Sequence, residues 1–129
     1  MELIEEIARH FHNKGIGTLA SNLFYSYLPD VEGEFSIFIK NTGGMTPDKD
    51  VTDIKHPTFQ VFIRSQTYAT GKSKLNSIRD ELHGVINDYL ISGGIYYRRI
   101  HALSEGGHLG KNEAGYHEFS MNFEAEIVE

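Results

Sequence analysis

The chain has 129 residues, of which 40% are apolar and 23% are charged, and its formal net charge is −6. This length predicts a single domain spanning residues 1–129, because domains cluster near ~100–150 residues. The absence of cysteine excludes disulfides, zinc–thiolate sites, iron–sulfur clusters and thiol nucleophiles. No apolar run reaches the ~18–20 residues of a membrane span, and the acidic balance disfavours binding to phosphate backbones.

The first predicted element is an amphipathic helix near the N-terminus, ended by Gly15. Glu2, Glu5 and Glu6 favour the positive end of the helix dipole. They also stand where a signal peptide would carry positive charge, so we expect synthesis in a cytoplasm without such a leader. The apolar stripe of this helix comprises Leu3, Ile4, Ile7, Ala8 and Phe11.

Three strands are predicted next, each rich in aromatic or β-branched residues. They span Leu23–Leu28, Phe35–Lys40 and Thr58–Gln66. The polar segment Asn41–Pro57, between the second and the third, has no periodicity and predicts a long loop. Loops of this length are commonly functional or mobile.

The second half of the chain predicts one long helix and two closing strands. Apolar residues recur every three or four positions from Leu75 to Leu90, and Gly93-Gly94 is expected to end this helix. Strands Ile95–Leu103 and Tyr116–Val128 follow, joined by the glycine-rich loop Ser104–Gly115. The last strand alternates apolar and polar residues, which predicts one buried face and one wet face. The order α-β-β-β-α-β-β predicts an α+β fold: a mostly antiparallel β-sheet flanked by two helices.

One segment is similar to a phosphate-binding loop, since Thr70-Gly71-Lys72-Ser73 lies between a predicted strand and a predicted helix. Such a loop needs two glycines that bracket four residues, and Gln66 occupies the position of the first. We therefore interpret the segment as a helix start, with Thr70 or Ser73 as the cap and a solvated Lys72.

Seven histidines raise the question of a metal site. His10 and His12 are two apart on a helix, so their side chains point roughly 200° apart and cannot share a metal. His101, His108 and His117 lie on the closing strands and their loop, where they could converge. Neither an HExxH motif nor a His-x-His strand pair supports this, so we favour scattered, partly exposed histidines.

Acidic and nucleophilic motifs are incomplete as well. Asp48, Asp50 and Asp53 lie in the long loop without the glycine and the terminal glutamate of a calcium loop. The sequence contains no G-x-S-x-G nucleophile motif. We therefore predict no catalytic residues, no cofactor-binding residues and no metal ligands.

The aromatic content leaves two interpretations open. The chain has 8 phenylalanines and 7 tyrosines, more than a small domain is expected to bury. A surplus on an exposed face would mark a protein–protein surface, whereas core packing with partly exposed tyrosines would account for them equally well. Many lie in the predicted strands, among them Phe24, Tyr25, Tyr27, Tyr96 and Tyr97.

Several segments, in order and with preserved spacing, carry a family likeness over nearly the whole chain. The first segment is Gly15–Leu19 with the following strand that ends in Leu28-Pro29-Asp30, and the second is Asn41–Gly44 with Pro47-Asp48. The third is His56–Val61, followed by Tyr68, Thr70, Gly71 and Leu82–Gly84. The fourth is Leu109–Glu113 with the strand Phe119–Ala125. In these segments the chain resembles the minor capsid and tail-completion proteins of long-tailed bacteriophages, the group that includes tail terminators.

The resemblance implies a small α+β subunit of a ring, commonly a hexamer, that caps the finished tail tube. The ring would join the tube to the head-completion proteins, and genomic DNA would pass through it without specific binding. An acidic lumen would repel phosphate. The resemblance implies no catalysis, no cofactor and no membrane partner. It places the protein at the head–tail interface of the virion, and in the host cytoplasm during assembly.

Two other functions remain open at this point. A head-completion adaptor or stopper at the same joint shares the class and composition of a terminator. A histidine- or metal-dependent hydrolase would have to be built around His101, His108 and His117. For a ring subunit, we predict that the loops Asn41–Pro57 and Ser104–Gly115 are mobile in the monomer and ordered on assembly.

Overall fold

Long strands with apolar residues at alternate positions dominate the computed structural model, which describes residues 2–26, 33–45 and 54–128. Alternation along a strand places these residues on one face of the sheet. The elements are α1 (Leu3–Asn13), β1 (Leu23–Tyr25), β2 (Phe35–Met45), β3 (Ile54–Ser65), α2 (Tyr68–Leu82), β4 (Val85–Tyr89), β5 (Tyr96–Ala102), β6 (Gly107–Lys111) and β7 (His117–Val128).

The strands form one seven-stranded sheet in the order β1-β2-β3-β7-β5-β4, and β6 pairs with β7 off this path. Among the strands of the described residues, β1 and β2 pair in parallel and the other pairs are antiparallel. The predicted α+β class, with two helices, a mostly antiparallel sheet and the order α-β-β-β-α-β-β, is confirmed. The short strands β4 and β6 add to the predicted set.

Both helices contribute to one hydrophobic core on the same face of the sheet, which we call the helix-covered face. The predicted stripe of α1 is confirmed, because four of its five residues are buried there. Burial of each large apolar side chain contributes about 1.5–3 kcal/mol. The core comprises, among others, Ile7 and Phe11 of α1, Leu75 and Ile78 of α2, Phe59, Val61 and Ile63 of β3, and Phe119, Met121 and Phe123 of β7.

The end of α1 is set by Gly15, as predicted. Its φ of 75° lies in the left-handed region that favours glycine. The N–H of Ile16 donates to the carbonyl of Phe11 at 3.0 Å, and the N–H of Gly15 donates to that of His12 at 3.1 Å. This pair of bonds is a Schellman motif, which satisfies carbonyls that the helix end would leave free.

Glu6 joins α1 to the start of β5, a role that differs from the expected interaction with the helix dipole. The side chain is buried, and its carboxylate accepts hydrogen bonds from the N–H of Ile95 at 2.9 Å and from the Tyr97 hydroxyl at 3.1 Å. Gly94 packs so closely on this carboxylate that an added Cβ would collide with it. Burial, and then the negative charge of Glu6, raise the pKa of Tyr97 well above its usual value.

The second predicted helix, whose apolar residues run from Leu75 to Leu90, is wrong at its C-terminal end. The observed helix α2 runs from Tyr68 to Leu82, and the segment Val85–Tyr89 forms β4. Gly84, with a φ of 93°, lies at the change of direction, and its N–H donates to the carbonyl of Ile100. Pairing with β5 therefore decides the structure of a segment whose apolar spacing also suits a helix.

Both predicted long loops contain strand. Residues 41–45 extend β2 and residues 54–57 begin β3, so strands occupy both ends of the segment Asn41–Pro57. The loop Ser104–Gly115 contains β6, which pairs with β7. The prediction of two long structureless loops is therefore wrong, and their mobility stays a prediction. Asp48, Asp50 and Asp53, as well as Tyr27, lie outside the described residues.

Within the described ranges, no helix is long and apolar enough to cross a bilayer.

Candidate functional site

The Thr70–Ser73 segment is part of α2 and not a phosphate-binding loop. A helix does start here, as predicted, but its cap is Thr67, whose hydroxyl accepts a hydrogen bond from the N–H of Thr70 at 3.2 Å. Lys72 is partly buried, not fully solvated. The backbone amides of this segment are thus engaged in a helix instead of wrapping around an anion.

Gly71 has a packing role within this segment. It is buried, and an added Cβ would collide with the ring of Phe119 on β7. A glycine here lets α2 approach the sheet closely. The glycine that resembled part of a phosphate loop is therefore accounted for by the contact between helix and strand.

The histidines are distributed over both faces of the sheet. His10 lies 3.0 Å from Glu81, and His12 accepts a hydrogen bond from the N–H of Leu19, so these two point to different partners, as predicted. His108 and His117 lie on the helix-covered face beside Phe119. His101 pairs in register with Glu124 and therefore lies on the opposite face. The three closing-strand histidines do not converge, because strand alternation separates His101 from the other two.

His108 and His117 form a pair near the exposed start of α2. Nε2 of His108 lies 3.0 Å from Nδ1 of His117, and the ring of Tyr68 contacts both imidazoles edge-on. Burial, followed by the charges of Lys111 and His108, lowers the pKa of His117. At this distance, one imidazole donates a hydrogen bond to the other.

The opposite side of the sheet, which we call the helix-free face, carries a polar cluster of His56, Glu124 and Glu126. Nδ1 of His56 lies 3.4 Å from Oε1 of Glu124 and 3.9 Å from Oε1 of Glu126. Arg99 of β5 contacts Glu126 at 2.8 Å. The predicted wet face of β7 is wrong at Glu124, which is only 6% exposed. Its register partners are Thr58 of β3 and His101 of β5, so this residue lies on a central strand between two neighbours.

Three phenylalanines form a row across strands β1, β2 and β3 on the helix-free face. Phe24 pairs in register with Phe38, and Phe38 pairs with Phe62. Phe24 is buried, whereas the other two are partly buried. Tyr97 belongs to the core of the helix-covered face. The aromatic residues are thus divided between core packing and a second, partly accessible surface, and a protein–protein role for that surface stays a prediction.

The most exposed apolar side chains lie outside that row. Ile86 and Tyr89 are 62% and 51% exposed on β4, which is one terminal strand of the described sheet. The ring of Tyr89 packs edge-on against Tyr96 at 5.2 Å. Exposed apolar side chains next to a terminal strand are typical of a protein–protein contact.

At the other terminal strand, β1, the chain forms an apolar cleft of about 340 Å³. Since β1 and β4 lie at opposite ends of the strand order, the cleft and the exposed side chains of β4 are separate surfaces. The cleft is lined by Leu19, Ala20, Leu23, Phe24, Tyr25 and Ser26.

Sequence reasoning did not single out His56, Glu124 or Glu126. No local motif joins them, because His56 and Glu124 are 68 residues apart. The alternation of β7 predicted only that its glutamates share a face. The one signal in the sequence was a pair of acidic residues at alternate positions of the last strand. Only the structure shows that this strand lies in the middle of the sheet.

The sequence over residues 10–129 matches the family described as bacteriophage tail terminator protein. No curated protein sequence matches the chain significantly. Among solved structures, the fold is similar to a chain from the virion of a native gene transfer agent particle, with a TM-score of 0.68 and 12% identity. That similarity covers 98% of this chain and 95% of the other, and it concerns the fold. By its family match, the chain belongs to the bacteriophage tail terminator family and is a structural component of the virion.

Proposed function

We propose that the chain caps the tail tube at the head–tail joint as a homo-oligomeric ring of six subunits. The observation that carries this proposal is the family match over residues 10–129, which includes every strand of the sheet. The similar fold in a gene transfer agent virion is consistent with a part in particle assembly.

The two terminal strands support a head-to-tail ring. Such a ring needs two different patches on each subunit, whereas a two-fold dimer uses one patch twice. The exposed Ile86 and Tyr89 of β4 form one patch, and the apolar cleft at β1 forms the other. We propose that the β4 patch of one subunit packs into the β1 cleft of the next.

The proposed partners are the tail tube protein on one side and a head-completion protein on the other, with genomic DNA passing through the ring. Basic residues that could hold DNA are partly engaged within the subunit. Arg99 pairs with Glu126, and Lys74 donates to the carbonyl of Ile16 while contacting the ring of Phe35. Together with the net charge of −6, these contacts favour passage of DNA without specific binding.

Electron microscopy of particles that lack this protein tests the function. For a terminator we expect overlong, polymerised tails, because nothing stops growth of the tube. Tails of normal length beside unjoined heads would instead assign the chain to a head-completion adaptor or stopper at the same joint.

A pair of substitutions tests the ring contact. We expect Ile86→Asp to abolish rings in native mass spectrometry and to lengthen tails in complemented particles. Leu109→Asp is the matched control, because Leu109 is also 62% exposed but lies on β6. Equal loss of rings from both variants, or from neither, would contradict a contact through β4.

A further inference from the structure

The cluster of His56, Glu124 and Glu126 has the donors and the spacing of a metal site. One ligand atom from each residue lies within 4.8 Å of the other two. Zinc binds imidazole nitrogen and carboxylate oxygen at about 2.0–2.2 Å, so two of its ligands stand roughly 3.4 Å apart in a tetrahedral site. The distances from His56 to the two carboxylates, 3.4 and 3.9 Å, are close to that separation.

The charges at the cluster favour a cation. The two glutamates are alternate residues of β7, so their carboxylates lie on one face, and their side chains are only 8% and 17% exposed. Two partly desolvated carboxylates repel each other unless positive charge lies between them. Arg99 contacts Glu126 but is itself half exposed. Among the described residues, Glu124 has His56 as its single ion-pair partner.

A second imidazole lies beside the cluster. His101 is the register partner of Glu124 on β5, and residues paired in this way have Cβ atoms about 4.5–5.5 Å apart. Its Nδ1 atom is buried and meets no hydrogen-bond partner within the described ranges. A buried polar atom of this kind requires an explanation, and a bound ion or water is one. His101 thus neighbours the cluster on β5, although among the described residues only His56, Glu124 and Glu126 have ligand atoms that converge.

The geometry points to a binding site for a divalent transition-metal ion of the zinc type, with His56, Glu124 and Glu126 as ligands. Imidazole with carboxylate selects zinc and similar ions over calcium and magnesium, which prefer all-oxygen sites. The ion would tie the start of β3 to the end of β7 on the helix-free face. This role is structural, and it is independent of the ring proposed above. It also departs from our expectation, based on sequence, that the chain has no metal ligands.

Titration of the metal-free full chain with Zn²⁺ in a calorimeter tests the site. We expect one saturable ion per chain, and a rise in Tm with Zn²⁺ because the ion binds the folded state. Glu124→Gln and His56→Gln are each expected to weaken binding at least ~10-fold, since each removes a direct ligand. Both variants should also lose the Zn²⁺-dependent rise in Tm.

Glu118→Gln is the matched control, because it makes the same charge change on the same face of the same strand, where Glu118 contacts Arg64 at 3.7 Å. We expect its Zn²⁺ affinity to stay within about twofold of the unmodified chain. If Glu124→Gln does not fold by circular dichroism, Glu126→Gln at the more exposed ligand takes its place.

Three results would overturn the site. The first is no saturable binding of Zn²⁺ by the unmodified chain, and the second is equal weakening by Glu118→Gln and Glu124→Gln. The third is loss of binding in His117→Gln with Glu124→Gln unaffected, which would move the site to the His108–His117 pair. None of these results would alter tail length, so they are separate from a failure of the proposed function.

Discussion

The two faces of β7 belong to the same central strand but are held by different kinds of interaction. On the helix-covered face, Phe119 and Phe123 are fully buried among apolar side chains. On the helix-free face, Glu118 and Glu124 contact an arginine and a histidine of β3. Packing on the first face depends on shape, and a change of one methyl group matters there. Pairing on the second face depends on charge, so it can respond to ions and partners.

The same contrast separates residues that stabilise the subunit from those available for assembly. The core residues of β7 are buried inside the subunit and offer no surface to a partner. On the helix-free face, part of the polar cluster and part of the phenylalanine row keep some accessible surface, and the β4 patch keeps more. Substitutions should therefore separate stability from assembly according to the face that they change.

The largest effect is expected for Phe123→Ala on the helix-covered face. The ring of Phe123 is fully buried and stacks on Phe59 at 5.3 Å. Its removal should lower the free energy of unfolding by about 3–5 kcal/mol, because it leaves a cavity. Urea denaturation measures this loss. Asn122→Ala, one residue away on the helix-free face, should cost only about 1 kcal/mol, and equal losses would break the contrast between the faces.

Tyr97→Phe should have the next largest effect, since it removes the hydrogen bond to the buried Glu6 carboxylate. We expect a loss of about 1.5–3 kcal/mol at neutral pH, as for other hydrogen bonds to charged groups. Denaturation by urea at pH 7, compared with Tyr89→Phe at the exposed patch, measures it.

The same pair of variants also tests the pKa of Tyr97. Because its pKa is raised in the folded state, the unfolded chain loses this proton first, and stability should fall as pH rises above ~10. Tyr97→Phe should reduce that slope by up to about 1.4 kcal/mol per pH unit. An unchanged slope would show that the phenol is not held neutral by Glu6 and burial.

Gly71→Ala should destabilise the chain by about 1–3 kcal/mol through overpacking, because the new Cβ collides with the Phe119 ring. Alanine is the better helix former, so a gain in stability would mean that α2 can move away from the sheet. Gly107→Ala is the control, since an added Cβ there meets nothing within 4 Å. Thermal unfolding of the two variants distinguishes these outcomes.

The smallest effect is expected for Glu118→Gln on the helix-free face. Its contact with Arg64 is long, at 3.7 Å, and both side chains are about one-quarter exposed. Such a pair contributes at most about 1 kcal/mol, and the contribution should decrease with added salt. A loss as large as that of Gly71→Ala, measured in low and high salt, would show that charge on this face stabilises the subunit as strongly as packing does.

Local sequence patterns predicted the structure correctly where the pattern is compatible with one kind of secondary structure. The apolar stripe of α1, the glycine at its end and the alternating core residues of β7 are all found as predicted. The same reasoning failed between Leu82 and Tyr89, where apolar spacing suits a helix and a strand alike. It also failed at β6, whose glycines lower strand propensity but not its pairing with β7.

The candidate surfaces were predicted less completely than the fold. Aromatic content indicated that some rings would remain accessible, but not that Phe24, Phe38 and Phe62 would align across three strands. The polar cluster of the helix-free face was not predicted, because its members come from strands that are distant in sequence.

By itself, the sequence determined the α+β class, the order of its main elements and the family likeness, since these depend on periodicity and on motifs in a fixed order. Only the tertiary structure decided which strand lies next to which, and hence that Glu124 is buried beside His56 and that β4 and β1 end the described sheet. The physical reason is that strand pairing joins residues through backbone hydrogen bonds, which are common to all side chains and leave no local mark in the sequence.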